Sequence, residues 1–381
     1  MRLAFYAPLK PPDHPVPSGD RRMAQLLIRA WEQAGHQVEL ASRLASRRPE
    51  GPQQTDVAAA AAAERQRLLA LYAARPPAER PAAWFTYHLY YKAPDWLGPE
   101  IARALAIPYL VAEASVAGKR AGGPFALGHD ATAAALRAAA RVFVVNPADR
   151  EGLEPLVARP HRLVALPAFL DLAEFSRLAG PRAAERQALA ERHGLDSAQP
   201  WLLTVAMMRP GDKLASYRAL AEALAGLVDL DWQLLLVGDG PARPEVEAAL
   251  APLGVDRLRF LGRLEEAEVA GCYAAADLCL WPAINEAYGM ALLEAQAAGL
   301  PVVAGAVGGV PSIVTDGVTG LLTPPGESGP FAAATRALVE APTRRAAMGR
   351  AARENMRRRH DIASAARILD QALAEACAER A

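Results

Sequence analysis

Cysteine is scarce in this chain of 381 residues, which contains only Cys272, Cys279 and Cys377. Their number is odd and their spacing matches neither a disulfide framework nor a zinc motif, so a reducing, cytoplasmic location is expected. Long apolar runs are also missing, because no segment approaches the roughly 20 apolar residues of a membrane span. Residues 1–8 lack the apolar length of a signal peptide. Any membrane contact is therefore expected to be peripheral.

The chain also lacks net charge, because 42 basic residues balance 42 acidic ones. This balance gives no reason to expect nucleic acid as a partner. The charge is uneven, however, since the residues before Leu172 carry about five net positive charges and the remainder about five negative ones. A membrane surface or an anionic acceptor thus stays open as a partner of the first half, although a solvated surface is the more common cause.

Several catalytic patterns are missing as well. The sequence contains no Ser-His-Asp order, no metal-ligand cluster and no phosphate loop that ends in Gly-Lys-Ser/Thr. Hydrolase and nucleoside-triphosphatase functions lose support, and no metal is expected. A dinucleotide oxidoreductase is disfavoured, because no strand is followed by a full Gly-x-Gly-x-x-Gly turn with an acidic residue about 20 positions later.

What the sequence does contain is a regular alternation of short apolar runs and helical stretches. This alternation predicts an α/β protein with parallel sheets covered on both faces. We predict two domains, 1–168 and 201–361, with a linker at 169–200 and a last helix, 362–381, that either completes the second domain or crosses back to the first. The predicted strands are 3–6, 37–41, 83–87, 108–112, 142–145 and 163–166, then 201–206, 233–237, 258–261, 278–281, 301–304 and 320–322.

Two glutamates follow the predicted strand 278–281. Glu286 lies on a loop, and Glu294 lies two turns inside a helix predicted over 289–298. At about 1.5 Å rise per residue, their carboxylates are separated by roughly 12 Å or less. The carboxylates of a glycosidase usually lie about 5–9.5 Å apart. The spacing therefore favours two separate contacts with an extended, hydroxyl-rich ligand over one acid–base pair.

Possible phosphate contacts follow two other strands of the second half. Arg209 and Lys213 come after the strand 201–206, and a guanidinium fork with an added point charge suits a diphosphate. Two surface cations on a loop would explain them as well. Gly308 and Gly309 precede a helix start at Pro311, where bare amides attract phosphate, although a tight turn explains these glycines equally well.

In the first half, Ser18, Gly19 and Asp20 precede a helix that is predicted to begin near Arg21. Gly19 would let the backbone approach a ligand. Ser18 or Asp20 are explained at least as well as caps of that helix.

Four further polar residues follow strands of the first half, where ligands of parallel sheets bind. A lone histidine is more often structural than catalytic, so this group is weaker than the glutamates. These residues are His88, after 83–87, and Glu113, Ser115 and Lys119, after 108–112.

A set of short motifs occurs in a fixed order between residues 201 and 325. In this order they resemble the donor-binding domain of the retaining glycosyltransferases of family 4, whose architecture is GT-B. The motifs are Arg209, Lys213, Gly238-Asp239-Gly240-Pro241, Phe260-Leu261-Gly262, Tyr273, Pro282, the two glutamates, Gly299-Leu300-Pro301, Gly308-Gly309-Val310-Pro311 and Gly317-Val318-Thr319-Gly320.

The resemblance implies two Rossmann-like, doubly wound domains facing across a cleft, with 1–168 binding the acceptor and 201–361 the donor. It also implies a UDP- or GDP-linked sugar as co-substrate, no metal and no protein nucleophile. The acceptor would be a sugar, a lipid-linked molecule or a small molecule, in bacterial polysaccharide or glycoconjugate synthesis.

The resemblance further assigns expected roles to single residues. Arg209 and Lys213 would hold the pyrophosphate, Glu286 the donor sugar and Glu294 the ribose. The remaining expected donor contacts are Gly19, Gly262, Arg263, Tyr288, Gly289 and Met290. The candidates for the acceptor or donor-sugar side are Ser18, Asp20, His88, Glu113, Ser115 and Lys119.

The sequence departs from the family at two positions. Glu113 stands where the family often has histidine, and Ser312 stands where many members have glutamate. Two rival functions also remain open. A nucleotide-sugar epimerase would convert the donor without an acceptor, and a non-catalytic nucleotide-sugar binding protein would be stabilised by the donor without releasing nucleotide.

Overall fold

The computed structural model describes residues 1–16, 18–116, 118, 121–157 and 159–380. The chain divides into two compact units, which are Met1–Pro167 with Ile362–Ala381, and Ala168–Asp361. None of the described helices has the length and apolar composition needed to cross a bilayer.

The first unit alternates strands and helices from its first residues. Its elements are β1 (Arg2–Tyr6), α1 (Gly19–Gln33), β2 (Gln37–Ser42), α2 (Gln54–Ala74), β3 (Ala83–Leu89), α3 (Gly98–Ala104), β4 (Tyr109–Ala114), α4 (Ala126–Ala138), β5 (Arg141–Val144), α5 (Arg150–Leu153) and β6 (Leu163–Ala165).

The second unit begins with two helices and then alternates in the same way. Its elements are α6 (Leu172–Leu178), α7 (Arg182–His193), β7 (Trp201–Val205), α8 (Asp212–Ala225), β8 (Gln233–Val237), α9 (Arg243–Leu250), β9 (Leu258–Gly262), α10 (Glu266–Ala275), β10 (Leu278–Trp281), α11 (Met290–Ala297), β11 (Val302–Gly305), α12 (Val310–Ile313), β12 (Gly320–Thr323), α13 (Ser328–Val339) and α14 (Pro342–Arg359). The last helix, α15 (Ile362–Ala378), returns to the first unit.

Each unit contains one six-stranded parallel sheet, which confirms the predicted α/β class. The strand order is β2-β1-β3-β4-β5-β6 in the first sheet and β12-β11-β10-β7-β8-β9 in the second. All twelve predicted runs coincide with strands to within a few residues. A strand covered on both faces is largely apolar, which makes it recognisable in the sequence. In β8 all five residues are buried and four of them are apolar.

The strand orders define where a ligand is expected. In the second sheet the chain proceeds outwards from β7 to β9 and then restarts on the other side of β7 with β10. In the first sheet the corresponding reversal lies between β1 and β3. The loops at the carboxyl ends of these strand pairs diverge, and open α/β sheets bind ligands in the crevice that results.

The helix α15 is fixed to the first unit by packing on α1 and by ion pairs. The guanidinium of Arg141, which is 1% exposed, binds Glu379 at 2.6 Å and Glu375 at 3.5 Å. His36 contacts Asp370 at 3.0 Å. A buried guanidinium requires such partners, and α15 provides them.

The segment 169–200, predicted to be a linker, contains α6 and α7, and both helices pack against α10. Arg182 and Arg186 of α7 bind the carboxylate of Asp277 at 2.7 and 3.0 Å. In this structure the segment is therefore packed within the second unit.

Glycines allow the loops at the carboxyl edge of the second sheet to pack backbone against backbone. A Cβ atom on Gly308 would lie 2.1 Å from the carbonyl oxygen of Glu286, and one on Gly309 would lie 2.6 Å from that of Ala287. A Cβ atom on Gly238 would likewise lie 2.0 Å from the carbonyl oxygen of Ala206. A backbone carbonyl cannot move aside as a flexible side chain can, so these three positions require glycine.

We predict that Gly308→Ala lowers the free energy of unfolding by about 2–4 kcal/mol. The new Cβ atom would clash with the carbonyl oxygen of Glu286, and the φ of +54° is unfavourable for alanine. Gly326→Ala is the matched control, since Gly326 has a φ of +78° but its Cβ would meet open space. We expect the control to cost about 1 kcal/mol. Urea denaturation measures both, and equal losses would show that the contact with Glu286 is unimportant.

Candidate functional site

Lys213 and Glu286 form an ion pair across the reversal of strand order in the second sheet. Lys213 lies in the first turn of α8, after β7, and its Nζ donates to Oε2 of Glu286 at 2.5 Å. Glu286 lies on the loop after β10. Two residues separated by 73 positions thus meet at the place where the topology predicts a ligand.

Trp281, the last residue of β10, contacts both members of this pair. Its Nε1 donates to Oε2 of Glu286 at 3.0 Å, and the Lys213 ammonium lies 5.0 Å from its ring centroid. The indole is itself held by an edge contact with Tyr217, with ring centroids 5.3 Å apart. Both donors use Oε2, and Oε1 of Glu286 has no hydrogen-bond partner among the described residues. That oxygen is the one available for a ligand.

Two further contacts bind the loop after β10 to α8. The backbone N–H of Ile284 donates to Oγ of Ser216 at 3.0 Å, and Nδ2 of Asn285 donates to Oδ2 of Asp212 at 2.8 Å. Asn285 has a φ of +52°, and the buried Ala283 has a φ of +57°. Side chains other than glycine rarely adopt this conformation unless the surroundings enforce it, and such residues cluster at ligand sites.

The ends of two helices make this region attractive to anions. Gly211 and Gly289 are the N-cap residues of α8 and α11, and among the described residues no side chain caps either helix. Their first amides and positive dipole ends are therefore left to a ligand. Arg209, on the loop that leads from β7 to α8, is exposed. A phosphate group fits this combination of amides, guanidinium and ammonium.

Glu294 accepts a hydrogen bond from the hydroxyl of Tyr273 at 3.0 Å. The helix α11 begins at Met290, one residue after the predicted start, and Glu294 lies just over one turn inside it. The predicted depth of two turns was too large, because the five positions from Gly289 to Glu294 make only about 1.4 turns. Gly289, in a left-handed conformation with φ +78°, is the N-cap residue that joins the loop to α11.

The other expected donor contacts are distributed along the same edge. Tyr288 and Met290 are half-buried beside Gly289. Gly262 has a φ of +69° at the end of the edge strand β9 and accepts from the N–H of Gly238 at 2.8 Å. Arg263 follows it and is exposed. Since β9 is two strands away from β7, this pair lies apart from Lys213 and Glu286 in the sheet.

In the first unit, three of the predicted residues meet at the other reversal of strand order. His88 is the penultimate residue of β3. Its Nδ1 donates to Asp20 of α1 at 3.0 Å, while Glu113 of β4 lies 3.6 Å from the same nitrogen. His88 and Glu113 have φ values of +63° and +54°. Two non-glycine residues in this conformation at adjacent strand ends indicate an enforced arrangement.

The charges in this cluster alter the titration of its members. Burial acts to lower the pKa of His88, but the carboxylates of Glu113, Asp20 and Asp149 outweigh burial and hold this pKa above 6.5. Burial acts to raise the pKa of Asp20, but the hydrogen bond and charge of His88 outweigh it and hold this pKa below 3.8. The imidazolium and the carboxylate therefore stabilise each other's charged forms.

The remaining first-unit candidates lie around this cluster. Ser18 caps α1, since its Oγ accepts from the N–H of Arg21 at 3.2 Å, as the capping interpretation predicted. A Cβ atom on Gly19 would meet open space, and Ser115 is half-buried, with its N–H donating to the carbonyl of Leu89. Lys119 lies outside the described residues.

Sequence reasoning missed Trp281 and Asp149. A tryptophan at the carboxyl end of a buried strand was a usable signal, because its N–H requires an acceptor nearby. Asp149 gave no such signal. Its effect on the pKa of His88 depends on the tertiary position of the segment after β5, which the sequence pattern does not indicate. Among the described residues, no group of three or more His, Cys, Asp or Glu side chains is arranged to hold a metal ion.

Comparison with known sequences identifies the second unit. Residues 199–341 match the family described as Glycosyl transferases group 1. D-inositol 3-phosphate glycosyltransferase of Mycobacterium sp. (strain KMS) is 37% identical over 237 residues, which are 57% of this chain and 51% of the relative. The enzyme of the same name from Geodermatophilus obscurus is 36% identical over 211 residues, 52% of this chain and 45% of the relative. The chain thus spans about half the length of these curated relatives.

Comparison with solved structures extends over the whole chain. Sucrose-phosphate synthase from Thermosynechococcus elongatus has a TM-score of 0.75 and 22% identity, with 100% of both chains covered. Anabaena HepE in complex with UDP and glucose has a TM-score of 0.70 and 18% identity, over 98% of this chain and 99% of that one. These similarities show that the chain has the GT-B fold.

We predict that Trp281→Phe lowers the kcat/KM measured in the transfer assay proposed below by roughly ten-fold, because it keeps the ring under Lys213 but removes the N–H that orients Glu286. Trp232→Phe is the matched control. Its Nε1 donates to the carbonyl of Leu227 at 2.8 Å and the Arg257 guanidinium lies 4.7 Å from its ring, but it precedes β8 at the opposite edge of the sheet. Steady-state kinetics with both variants would contradict the role of Trp281 if their losses were equal.

We predict a pH-dependent stability contribution from His88. The pKa of His88 is raised in the folded chain. Its contribution to stability is therefore complete below pH 6.5 and is lost as the pH rises through the pKa of the folded state. The contribution of Asp20, whose pKa is lowered, is complete above 3.8 and is lost as the pH falls below it. The stability lost in His88→Gln should be largest near about pH 5 and should decline towards about pH 9.

Denaturation curves across this pH range test the prediction. His161→Gln serves as the control, since the side chain of His161 is 53% exposed and contacts Glu379 at 3.4 Å. A stability loss in His88→Gln that is constant with pH, or one that the control reproduces, would show that the carboxylates do not act on the charge of His88.

Proposed function

We propose that this chain, whose second unit carries a Glycosyl transferases group 1 domain, is a retaining glycosyltransferase of family 4. It transfers a sugar from a nucleotide-diphosphate sugar to an acceptor hydroxyl. The second unit binds the donor, and the first unit, completed by α15, binds the acceptor.

The ion pair of Lys213 and Glu286 is the observation that carries this proposal. It places a cation for phosphate and a carboxylate for sugar hydroxyls side by side at the carboxyl ends of β7 and β10. Because Trp281 and Lys213 both occupy Oε2, the free Oε1 of Glu286 accepts from a hydroxyl of the donor sugar. Lys213 and the exposed Arg209 contact the pyrophosphate, whose charge increases as it leaves.

The reaction proceeds on one face of the sugar. The bond between the anomeric carbon and the diphosphate oxygen breaks, and the acceptor oxygen bonds to the same carbon from the side that the nucleotide leaves. The acceptor proton passes to the departing phosphate oxygen, so that no protein nucleophile is required. Arg209, Lys213 and the uncapped amides of α8 and α11 stabilise the leaving diphosphate, and we propose that no metal takes part.

The comparisons support a donor in which the sugar is linked to UDP. Anabaena HepE was solved in complex with UDP-glucose as well as with UDP and glucose. Glu294, oriented by Tyr273, binds the ribose hydroxyls in this proposal. Gly262 and Arg263, at the end of β9, complete the nucleotide side.

For the acceptor, we propose the cluster of His88, Asp20 and Glu113. Its carboxylates accept hydrogen bonds from hydroxyl groups of the acceptor. A bacterial polysaccharide or glycoconjugate is the proposed product. The similarity to D-inositol 3-phosphate glycosyltransferases, whose name specifies a polyol, supports a hydroxyl-rich acceptor.

The test is turnover with a panel of UDP- and GDP-linked sugars, after thermal shift against free UDP and GDP has selected the donor. We expect Lys213→Ala and Glu286→Ala each to reduce kcat/KM about ten-fold to a hundred-fold, or about 1.5–3 kcal/mol. The control is Asp229→Ala, which breaks an exposed ion pair of similar length, 2.7 Å, with Arg336. Near-normal turnover in both site variants would defeat the proposal.

The same assay separates the two rival functions. NMR of the nucleotide sugar without acceptor detects an epimerase, because the donor would be converted. A binding protein would be stabilised by the donor but would release no nucleotide with any acceptor.

A further inference from the structure

The helix α14 concentrates positive charge in the acidic half of the chain. It contains seven arginines and one glutamate within 18 residues. The residues after Leu172 carry about five net negative charges as a whole. Such a concentration on one helix is a local electrostatic feature that the donor site does not use.

Part of α14 lines two adjacent hollows of about 390 and 380 Å³ on the second unit. The two hollows share Arg182, Ala274, Ala298 and Arg353, and together we call them the arginine groove. Leu172, Phe175 and Met356 add apolar surface to the larger one. The five guanidiniums that line the groove belong to Arg182, Arg345, Arg350, Arg353 and Arg357.

The groove and the pair of Lys213 and Glu286 lie at opposite ends of the strands of the second sheet. Ala274 lies in the last turn of α10, just before β10, and Ala298 is the C-cap residue of α11, just before β11. The groove is thus at the amino ends of these strands, whereas the donor site is at their carboxyl ends. A ligand in the groove is therefore distinct from the donor.

Three of the five arginines have structural roles. Arg182 donates to the carbonyl of Ala274 at 3.0 Å, Arg353 to that of Ala298 at 2.6 Å, and Arg345 to that of Val339 at 2.6 Å. They satisfy carbonyl groups at the ends of α10, α11 and α13, as basic side chains commonly do. These contacts fix the walls of the groove.

Arg350 and Arg357 have no such role. Both are exposed, and neither has a hydrogen-bond or ion-pair partner among the described residues. Asp277 is the single acidic residue that lines the groove, and it already binds Arg182 and Arg186. Burial lowers the pKa of Arg345, and the charges of Arg182 and Arg186 lower it further against the opposing effect of Asp277. The groove therefore has an excess of positive charge.

We propose that the arginine groove binds a phosphate-bearing anion, with Arg350 and Arg357 as its principal contacts. A guanidinium presents planar pairs of N–H donors that match phosphate oxygens. The hollows hold a head group of small-molecule size, and the walls are fixed before it binds. The same chemistry suits the head group of an anionic phospholipid and a soluble diphosphate.

The test compares Arg350→Gln/Arg357→Gln with Arg344→Gln/Arg359→Gln in the full chain. All four residues lie on α14 and are exposed, but Arg344 and Arg359 line neither hollow. Both double variants therefore have the same net charge. One arm measures sedimentation with vesicles of phosphatidylglycerol and phosphatidylcholine, against vesicles of phosphatidylcholine alone. The other arm measures binding of inorganic pyrophosphate by calorimetry.

We expect the groove variant to lose about ten-fold or more in affinity for at least one probe, while the control variant changes less than about two-fold. A loss confined to vesicles identifies a lipid head group as the source, and one confined to pyrophosphate identifies a soluble anion. Absence of binding in both arms would overturn the proposal, as would equal losses in the two variants, which would indicate non-specific attraction. Affinity for the nucleotide sugar should stay unchanged in both, so that failure here is distinguishable from failure of the proposed function.

Discussion

The ion pair between Lys213 and Glu286 is the interaction on which the candidate site depends. It joins the loop after β10 to the first turn of α8 at the point where the strand order reverses. Trp281 contacts both charges, and the contacts of Ser216 and Asp212 hold the same loop from α8. A side chain that binds a ligand does so best when it is already oriented, and these contacts orient Glu286 in the free protein.

The arrangement is possible because the surrounding loops pack without side chains between them. Gly308 lies against the carbonyl of Glu286 itself, so the loop after β11 supports the loop after β10 from behind. Gly238 supports the loop after β7 in the same way. The candidate binding side chains are thus carried by loops whose backbones pack directly against each other. This packing keeps the strained residues Ala283 and Asn285 in place.

The sequence alone was sufficient for the strands and for the placement of site residues at strand ends. Strands such as β8 are recognisable because burial on both faces makes them largely apolar, with Gln233 as the single polar residue of β8. The direct contact of Lys213 with Glu286 was not predictable, because it depends on the tertiary approach of two loops. The same holds for His88 and Asp20, which the order β1-β3-β4 brings together across 68 positions. The start of α11 was predicted to within one residue, and only the depth of Glu294 inside the helix was overestimated.

A crystal structure of the protein with its intact nucleotide sugar tests the central claim most directly. The account predicts pyrophosphate oxygens within about 3 Å of Lys213 Nζ and the Arg209 guanidinium, with a sugar hydroxyl on Oε1 of Glu286. A bound donor whose phosphates and sugar lie away from all three side chains would contradict it.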